Sequence, residues 1–177
     1  MEEVILVNEQ DVETGTMEKI EAHRKGILHR AFSIFIFNSK NEILLQQRAA
    51  NKYHSAGLWT NACCSHPKPG EETEVAALRR LKEELGFETP LQKIFDFTYK
   101  ASFDNGLTEH EFDHVFAGVY NGEIDFNHAE VQDVCYSSIE DIDSAMQSHS
   151  QKFTSWFLIA FPMIKKWKHD AAVAVVL

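Results

Sequence analysis

The amino-acid sequence predicts an α+β fold in which mixed or antiparallel β-sheets are packed by helices. Strand-like segments come first, followed by one helix, more strands and two terminal helices, which is not the order of regular βαβ winding. The chain has 177 residues and 44% of them are hydrophobic, which is enough for one core. Because it has no repeats and no Pro/Ser-rich linker, we expect a single domain over residues 1–170.

The first predicted strands form a β-hairpin. Residues 31–37 are aromatic and β-branched, a polar segment follows, and residues 43–45 are apolar again. A further short strand is predicted from Trp59 through Cys64. Pro67 ends it, because proline lacks the amide hydrogen that a strand interior needs.

The most clearly marked helix runs from Glu71 to Leu85. Its apolar residues recur at helical spacing, acidic residues crowd the first turn, and Gly86 supplies a stop. The elements predicted after it are strands at 91–103 and 112–120 and helices at 139–148 and 155–168. The apolar tail Ala171–Leu177 is left unassigned.

The net charge and the cysteine content exclude some classes of function. A net charge of −10 repels a nucleic-acid backbone, so we expect no nucleic-acid partner, and an anionic small ligand needs a local basic cluster or metal ions. Three cysteines give no disulfide framework. No apolar run is long enough for a membrane span, and Glu2 and Glu3 are unlike the start of a secretory signal. We therefore expect a cytoplasmic protein, without a membrane partner, that is a monomer or a weak dimer.

The polar face of the predicted helix carries the first motif. Arg80 and Glu84 lie four residues apart, where a solvated surface ion pair is the ordinary explanation. In its wider frame, however, the segment resembles the Nudix box, a loop–helix–loop that holds divalent metal against a diphosphate. The matching residues are Glu71, Arg79, Leu81, Glu83, Glu84, Gly86 and Phe87.

Two positions depart from the Nudix box. Ser65 stands where the box opens with glycine, and Arg80 stands where a hydrolytic Nudix enzyme carries a metal-binding glutamate. Hydrolysis of a phosphoanhydride needs metal-bound carboxylates that orient and activate water. The resemblance therefore implies a Nudix-like fold with altered chemistry.

A second motif, WTNACCSHP, spans Trp59–Pro67. It resembles the signature of type I isopentenyl diphosphate isomerases, with Cys64 and His66 in the cysteine and histidine positions. In an extended segment Cys64 and His66 share a face while Cys63 points away, so Cys64 is the reactive candidate. The ordinary alternative is an inert, buried cysteine.

The same resemblance implies a metal centre with five protein ligands. These are His23, His29, His66, Glu109 and Glu111. The two glutamates share a strand face if their segment is extended. Three imidazoles and two carboxylates suit an octahedral Mn²⁺, Mg²⁺ or Zn²⁺ ion, although a lone histidine is more often a satisfied polar residue than a ligand.

The resemblance covers about residues 4–161 and implies a small-molecule substrate, a prenyl diphosphate. The residues that match the family's diphosphate-binding positions are Lys19, Arg48, Lys52 and Arg80. Glu84 is a carboxylate of the Nudix box that this sequence retains. By resemblance, it would help to hold a Mg²⁺ ion that arrives with the diphosphate.

The reaction that the resemblance implies interconverts isopentenyl diphosphate and dimethylallyl diphosphate. It needs one proton added and another removed two carbons away. By resemblance, Glu111 assisted by Tyr99 lies on one face of the substrate and Cys64 on the other, and which of them is the acid stays open. Trp156 matches an aromatic residue over the hydrocarbon, although an aromatic residue on this helix is ordinarily part of the core.

Two other functions stay open at this stage. One is a Nudix pyrophosphohydrolase of a nucleoside or sugar diphosphate, against which Arg80 counts. The other is a non-enzymatic domain with a structural metal, but such sites are usually tetrahedral and rich in cysteine.

Overall fold

A nine-stranded sheet and four α-helices make up the part of the chain that the structure, a computed structural model, describes: residues 2–52 and 54–174. The strands are β1 (Glu3–Val7), β2 (Glu13–Glu18), β3 (His29–Phe37), β4 (Ile43–Arg48), β5 (Trp59–Asn61), β6 (Cys63–Ser65), β7 (Gln92–Ser102), β8 (Thr108–Val119) and β9 (Val131–Ser137). The helices are α1 (Lys19–Lys25), α2 (Thr73–Leu85), α3 (Ile139–His149) and α4 (Ser155–Ala174).

Strand β3 is the centre of the sheet. It pairs in parallel with β8 along its whole length, beginning at His29 opposite Glu111. It also pairs antiparallel with β6, where Ser33 lies opposite Cys64. On its other edge, β8 pairs antiparallel with β7, where Tyr99 lies opposite Glu111. These registers bring together side chains that are far apart in the sequence.

The sheet buries both of its faces, because side chains alternate along an extended strand. Phe32, Ile34 and Ile36 of β3 pack with α2 in one core. Phe35 and Phe37 of the same strand pack with α4 in the other core. The unbroken apolar sequence of β3 is the pattern expected of a strand that is covered on both faces.

Helix α2 ends where the sequence predicts. Gly86 follows it in the left-handed conformation, with φ 76°. A Cβ atom at this position would lie 2.3 Å from the carbonyl oxygen of Asp125, so backbone conformation and space both demand glycine. The helix buries Ala76, Leu81 and Leu85 but leaves Val75 exposed.

The predicted α+β class and the β3–β4 hairpin are confirmed, while three strands and a helix went unpredicted. The missed elements are β1, β2, α1 and β9. Strand β8 begins at Thr108 and not at residue 112, so Glu109 and Glu111 lie within it. Helix α4 continues to Ala174, and the rest of the predicted tail, residues 175–177, lies outside the described residues. None of the described helices is long and apolar enough to cross a membrane.

Candidate active site

The predicted site residues converge on one small cavity of about 60 Å³ beside the central strands. Those that line it are Lys19, Arg48, Lys52, Cys64, His66, Arg80, Glu84, Tyr99, Glu109, Glu111 and Trp156. The other two, His23 and His29, are fully buried and approach Glu111. The structure thus brings all of these side chains into one neighbourhood, although their roles stay predictions.

The turn from α1 into β3 orients two imidazoles. Gly26 ends α1 in the left-handed conformation, with φ 60°, and the chain then enters β3 at His29. Nδ1 of His23 lies 2.7 Å from the carbonyl oxygen of Lys19, and Nδ1 of His29 lies 2.8 Å from that of Ile27. Because a carbonyl only accepts, each neutral ring carries its proton on Nδ1 and presents the lone pair of Nε2.

Strand β8 supplies a row of buried carboxyl groups: Glu109, Glu111 and Asp113. The Tyr99 hydroxyl lies 2.7 Å from Glu111 Oε2 and 3.1 Å from Glu109 Oε2, so it can donate to either. Burial and the charge of Glu111 raise the pKa of Glu109. Burial also opposes ionisation of Glu111, but the imidazoles of His29 and His66 outweigh it and hold its pKa well below the usual range.

The imidazoles and Glu111 form a group that can hold a divalent ion. Ligand atoms of His23, His29, His66 and Glu111 all lie within 4.8 Å of one another. Burial lowers the pKa of His23, and it lowers that of His66 to about 4, so these rings are uncharged at neutral pH. Nε2 of His29 is buried and lies 3.5 Å from Glu111 Oε1. Uncharged nitrogen donors around a carboxylate fit a metal cation.

Cys64 lies in a hydrogen-bonded setting on another wall of the cavity. The indole Nε1 of Trp156 donates to its Sγ over 3.0 Å, and its thiol donates to Asn61 Oδ1 over 3.1 Å. Burial and the nearby Asp113 raise the pKa of Cys64, which favours the thiol form. Cys63 is fully buried in the core against α2, so the prediction that the two cysteines face opposite sides is confirmed.

Four basic side chains also line the cavity, and three of them, Lys19, Lys52 and Arg80, form ion pairs with acidic residues. Arg80 donates to Glu84 over 2.5 Å and to Glu83 over 2.7 Å. Lys52 contacts Glu130, which the sequence analysis did not single out. The cavity is therefore lined by carboxylates, imidazoles and basic side chains together.

Besides Glu130, three residues of the site were missed by the sequence analysis. Ser33 donates to Asp113 over 2.7 Å and lies 3.4 Å from Cys64 Sγ. Asp113 continues the alternation of Glu109 and Glu111, so a longer predicted strand would have found it. His54 lies in the loop between β4 and β5 and lines the cavity, and burial and the charge of Arg48 lower its pKa to about 3. No local pattern marks His54 or Ser33.

Comparison with solved structures identifies the fold. The chain is similar to DR0079 from Deinococcus radiodurans, with a TM-score of 0.71 and 21% identity over 84% of this chain and 90% of that one. It is also similar to a MutT protein from Methanosarcina mazei, with a TM-score of 0.65 and 18% identity over 81% and 95% of the two chains. A family model described as NUDIX domain matches residues 27–157. The Nudix-like fold is therefore confirmed.

Curated relatives identify the family. An isopentenyl-diphosphate Delta-isomerase from Pectobacterium atrosepticum is 52% identical over 92% of this chain and 90% of its own length. One from Serratia proteamaculans is 48% identical over 89% and 88% of the two chains. With this identity across most of both sequences, the chain belongs to the isopentenyl-diphosphate Delta-isomerase family and carries its NUDIX domain.

Proposed function

We propose that this chain interconverts isopentenyl diphosphate and dimethylallyl diphosphate by adding a proton to the substrate and removing another. The observation that carries the proposal is that Cys64 and the Glu111–Tyr99 pair line the same small, largely buried cavity. Two proton-exchanging groups from different strands are what a 1,3 shift of a double bond requires. The family membership of the chain supports the same reaction.

The protein residues divide the proton chemistry between two walls. On one wall, Tyr99 donates to Glu111, so a proton can pass between this pair and the substrate carbon that faces it. On the other, the Cys64 thiol donates its proton to Asn61 Oδ1, while its Sγ accepts a hydrogen bond from the Trp156 indole. Because the reaction is reversible, the two groups exchange the roles of acid and base between the directions.

His23, His29, His66 and Glu111 lie close enough together to hold an ion and, with Glu109, would bind a divalent cation. Its positive charge would tune the proton affinity of the two glutamates, and its identity, Mn²⁺, Mg²⁺ or Zn²⁺, is part of the proposal. Glu84 would help to hold a second ion, Mg²⁺, that would arrive with the substrate diphosphate.

Trp156 protects the reaction from water and stabilises charge. Protonation of the double bond leaves a tertiary carbocation, which has no solvation in a closed cavity except what side chains provide. The buried indole lines the cavity beside Cys64. Contact with the face of a desolvated indole stabilises a cation by about 2 kcal/mol or more.

The basic rim binds the diphosphate. Lys19, Arg48, Lys52 and Arg80 all line the cavity, and their charges offset the acidic surplus of the chain. Arg80 also argues against a hydrolase, because it donates to Glu83 and Glu84 and occupies carboxylates that a hydrolytic Nudix enzyme would offer to metal. The cytoplasmic location and the monomeric or weakly dimeric state are predictions from composition and resemblance.

One incubation tests the proposed function. The purified protein, supplied with Mn²⁺ and Mg²⁺, is mixed with isopentenyl diphosphate, and dimethylallyl diphosphate is followed by chromatography. In parallel, release of phosphate or pyrophosphate is measured from the same substrate and from a nucleoside diphosphate sugar. We expect dimethylallyl diphosphate and no phosphate release. Phosphate release without isomerisation would identify a hydrolase instead.

A further inference from the structure

His54 lies between the candidate active site and a larger, more open pocket beside it, the outer pocket. The outer pocket has a volume of about 520 Å³, against about 60 Å³ for the active-site cavity. Its lining comes mainly from the turn between β7 and β8 and from the segment that leads into α4. Among the described residues that line these two spaces, His54 is the only one that lines both. The two spaces therefore adjoin at His54.

The His54 ring contacts side chains of both spaces. It stacks on Phe103, which lines the outer pocket, with ring centroids 4.6 Å apart and an interplanar angle of 13°. Two residues of the active-site cavity also contact it: its Nε2 lies 3.3 Å from Glu109 Oε1, and its ring lies at 88° to that of Trp156, with centroids 6.0 Å apart. We call the two stacked rings the His54–Phe103 partition.

Backbone hydrogen bonds hold each half of the partition. The carbonyl oxygen of His54 accepts from Arg48 Nη2 over 3.2 Å. Phe103 opens the turn between β7 and β8, where its amide donates to the carbonyl of Leu107 over 2.8 Å and its carbonyl accepts from the amide of Gly106 over 3.1 Å. Gly106 has φ 79°, a left-handed conformation that glycine adopts without strain. The two rings are thus carried by hydrogen-bonded turns from different parts of the chain.

The partition lies beside the part of the cavity that would take the hydrocarbon. In the proposed function the indole of Trp156 faces the prenyl group, and the same indole contacts the His54 ring. A prenyl group at that indole therefore has the His54 ring beside it and, beyond the ring, the outer pocket. Because a hydrophobic site distinguishes substrates that differ by one methylene by about 10- to 200-fold, the position of such a ring decides which hydrocarbon is accepted.

We propose that the His54–Phe103 partition determines substrate specificity by limiting the hydrocarbon to a five-carbon prenyl group. With both rings in place, the partition closes the outer pocket to the substrate. Without it, the two spaces join, and a longer alkyl chain can enter the outer pocket, whose apolar lining includes Leu58, Phe153 and Leu158. The partition acts on the size of the hydrocarbon and not on proton transfer. The inference rests on the proposed function, because isomerisation is the reaction that it restricts.

Two longer homologues of isopentenyl diphosphate test the partition in the full-length protein with Mn²⁺ and Mg²⁺. In one, a butyl group replaces the methyl branch, and in the other, a propyl group extends the terminal alkene carbon. The kcat/KM for each homologue is divided by that for isopentenyl diphosphate, so a general loss of catalysis cancels from the ratio. Two variants open the partition, because His54 also contacts Glu109, whereas Phe103 lines the outer pocket and not the active-site cavity.

In His54→Ala and in Phe103→Ala we expect the ratio for at least one homologue to rise by about tenfold or more, the smallest discrimination that one methylene ordinarily gives. The matched control is Leu158→Ala, which enlarges the outer pocket and leaves both rings in place, so its ratios should equal those of the unaltered protein. Unchanged ratios for both homologues in the two partition variants would overturn the inference, as would an equal rise in the control. An unaltered protein that converts neither isopentenyl diphosphate nor its homologues would overturn the proposed function itself.

Discussion

Two regions of the molecule concentrate carboxyl groups, and they differ in what neutralises them. In the first, around helix α2, the partners are guanidinium groups. Arg79 donates to Glu71 over 2.7 and 2.8 Å, and Arg80 donates to Glu83 and Glu84. A guanidinium is charged at every physiological pH, so the α2 region carries its own counter-charge.

In the second region, strand β8, the partners of the carboxyl groups are uncharged. Glu111 faces imidazoles and the Tyr99 hydroxyl, and burial keeps His23 and His66 neutral. Buried negative charge without a permanent counter-charge is costly, so this region has a place for a resident cation, whereas the ion proposed at Glu84 of α2 arrives with the substrate diphosphate. The comparison teaches that a carboxylate pattern indicates a resident metal centre when no arginine satisfies it.

The largest expected effect tests whether activity depends on a metal ion at the carboxyl groups of β8. A strong chelator should abolish isomerisation, and added Mn²⁺ should restore it. Glu111→Gln keeps the size of the side chain but removes its charge and its proton exchange, so we expect kcat to fall by about 10⁴-fold, at the upper end of acid–base contributions, with less bound metal. Steady-state kinetics and metal analysis measure both. A Glu111→Gln protein with full metal content and unchanged kcat would break the comparison.

The next effect separates the two adjacent cysteines. Cys64→Ala should lower kcat by about 10³-fold, because the site loses one of its two proposed proton-exchanging groups. Cys63→Ala should keep most of the activity and lose about 1 kcal/mol of stability, because it leaves a small cavity in the core against α2. Kinetics and thermal unfolding of both variants check this split. Equal losses of kcat would mean that Cys63 contributes to the reaction as much as Cys64 does.

The sequence marked the residues that line the cavity more completely than it marked the edge strands of the fold, for a physical reason. Motifs such as WTNACCSHP hold their functional residues at short spacings, so Cys64 and His66 are found without knowing the topology. The pairing of His29 with Glu111 depends on the parallel register of β3 and β8, which nothing local encodes. Strands β1 and β2 were missed because their alternation is weak, and β2 has no fully buried residue. His54 was missed because only the folding of its loop brings it to the cavity.

A smaller effect concerns Trp156, which lines the cavity beside Cys64. If Trp156 stabilises the carbocation, Trp156→Leu should lower kcat about 30-fold, which corresponds to about 2 kcal/mol, with little change in KM because the charge exists only near the transition state. Trp156→Phe should keep appreciable activity because a weaker π face remains. The indole also donates to Cys64 Sγ. Equal losses in Phe and Leu variants would therefore assign the effect to that hydrogen bond and not to the ring face.

The smallest effect is expected on α2, where the comparison predicts redundancy. The Glu83 side chain is 44% exposed and shares both of its arginines with other carboxylates, since Arg79 also holds Glu71 and Arg80 also holds Glu84. Glu83→Gln should therefore cost less than about 1 kcal/mol of stability, the usual limit for an exposed ion pair, and should leave kcat within about twofold. Thermal unfolding and kinetics at saturating Mg²⁺ measure the two quantities. In a hydrolytic Nudix site this carboxylate would be offered to metal, so a large loss of kcat with intact stability would mean that Glu83 holds an ion despite its two arginines.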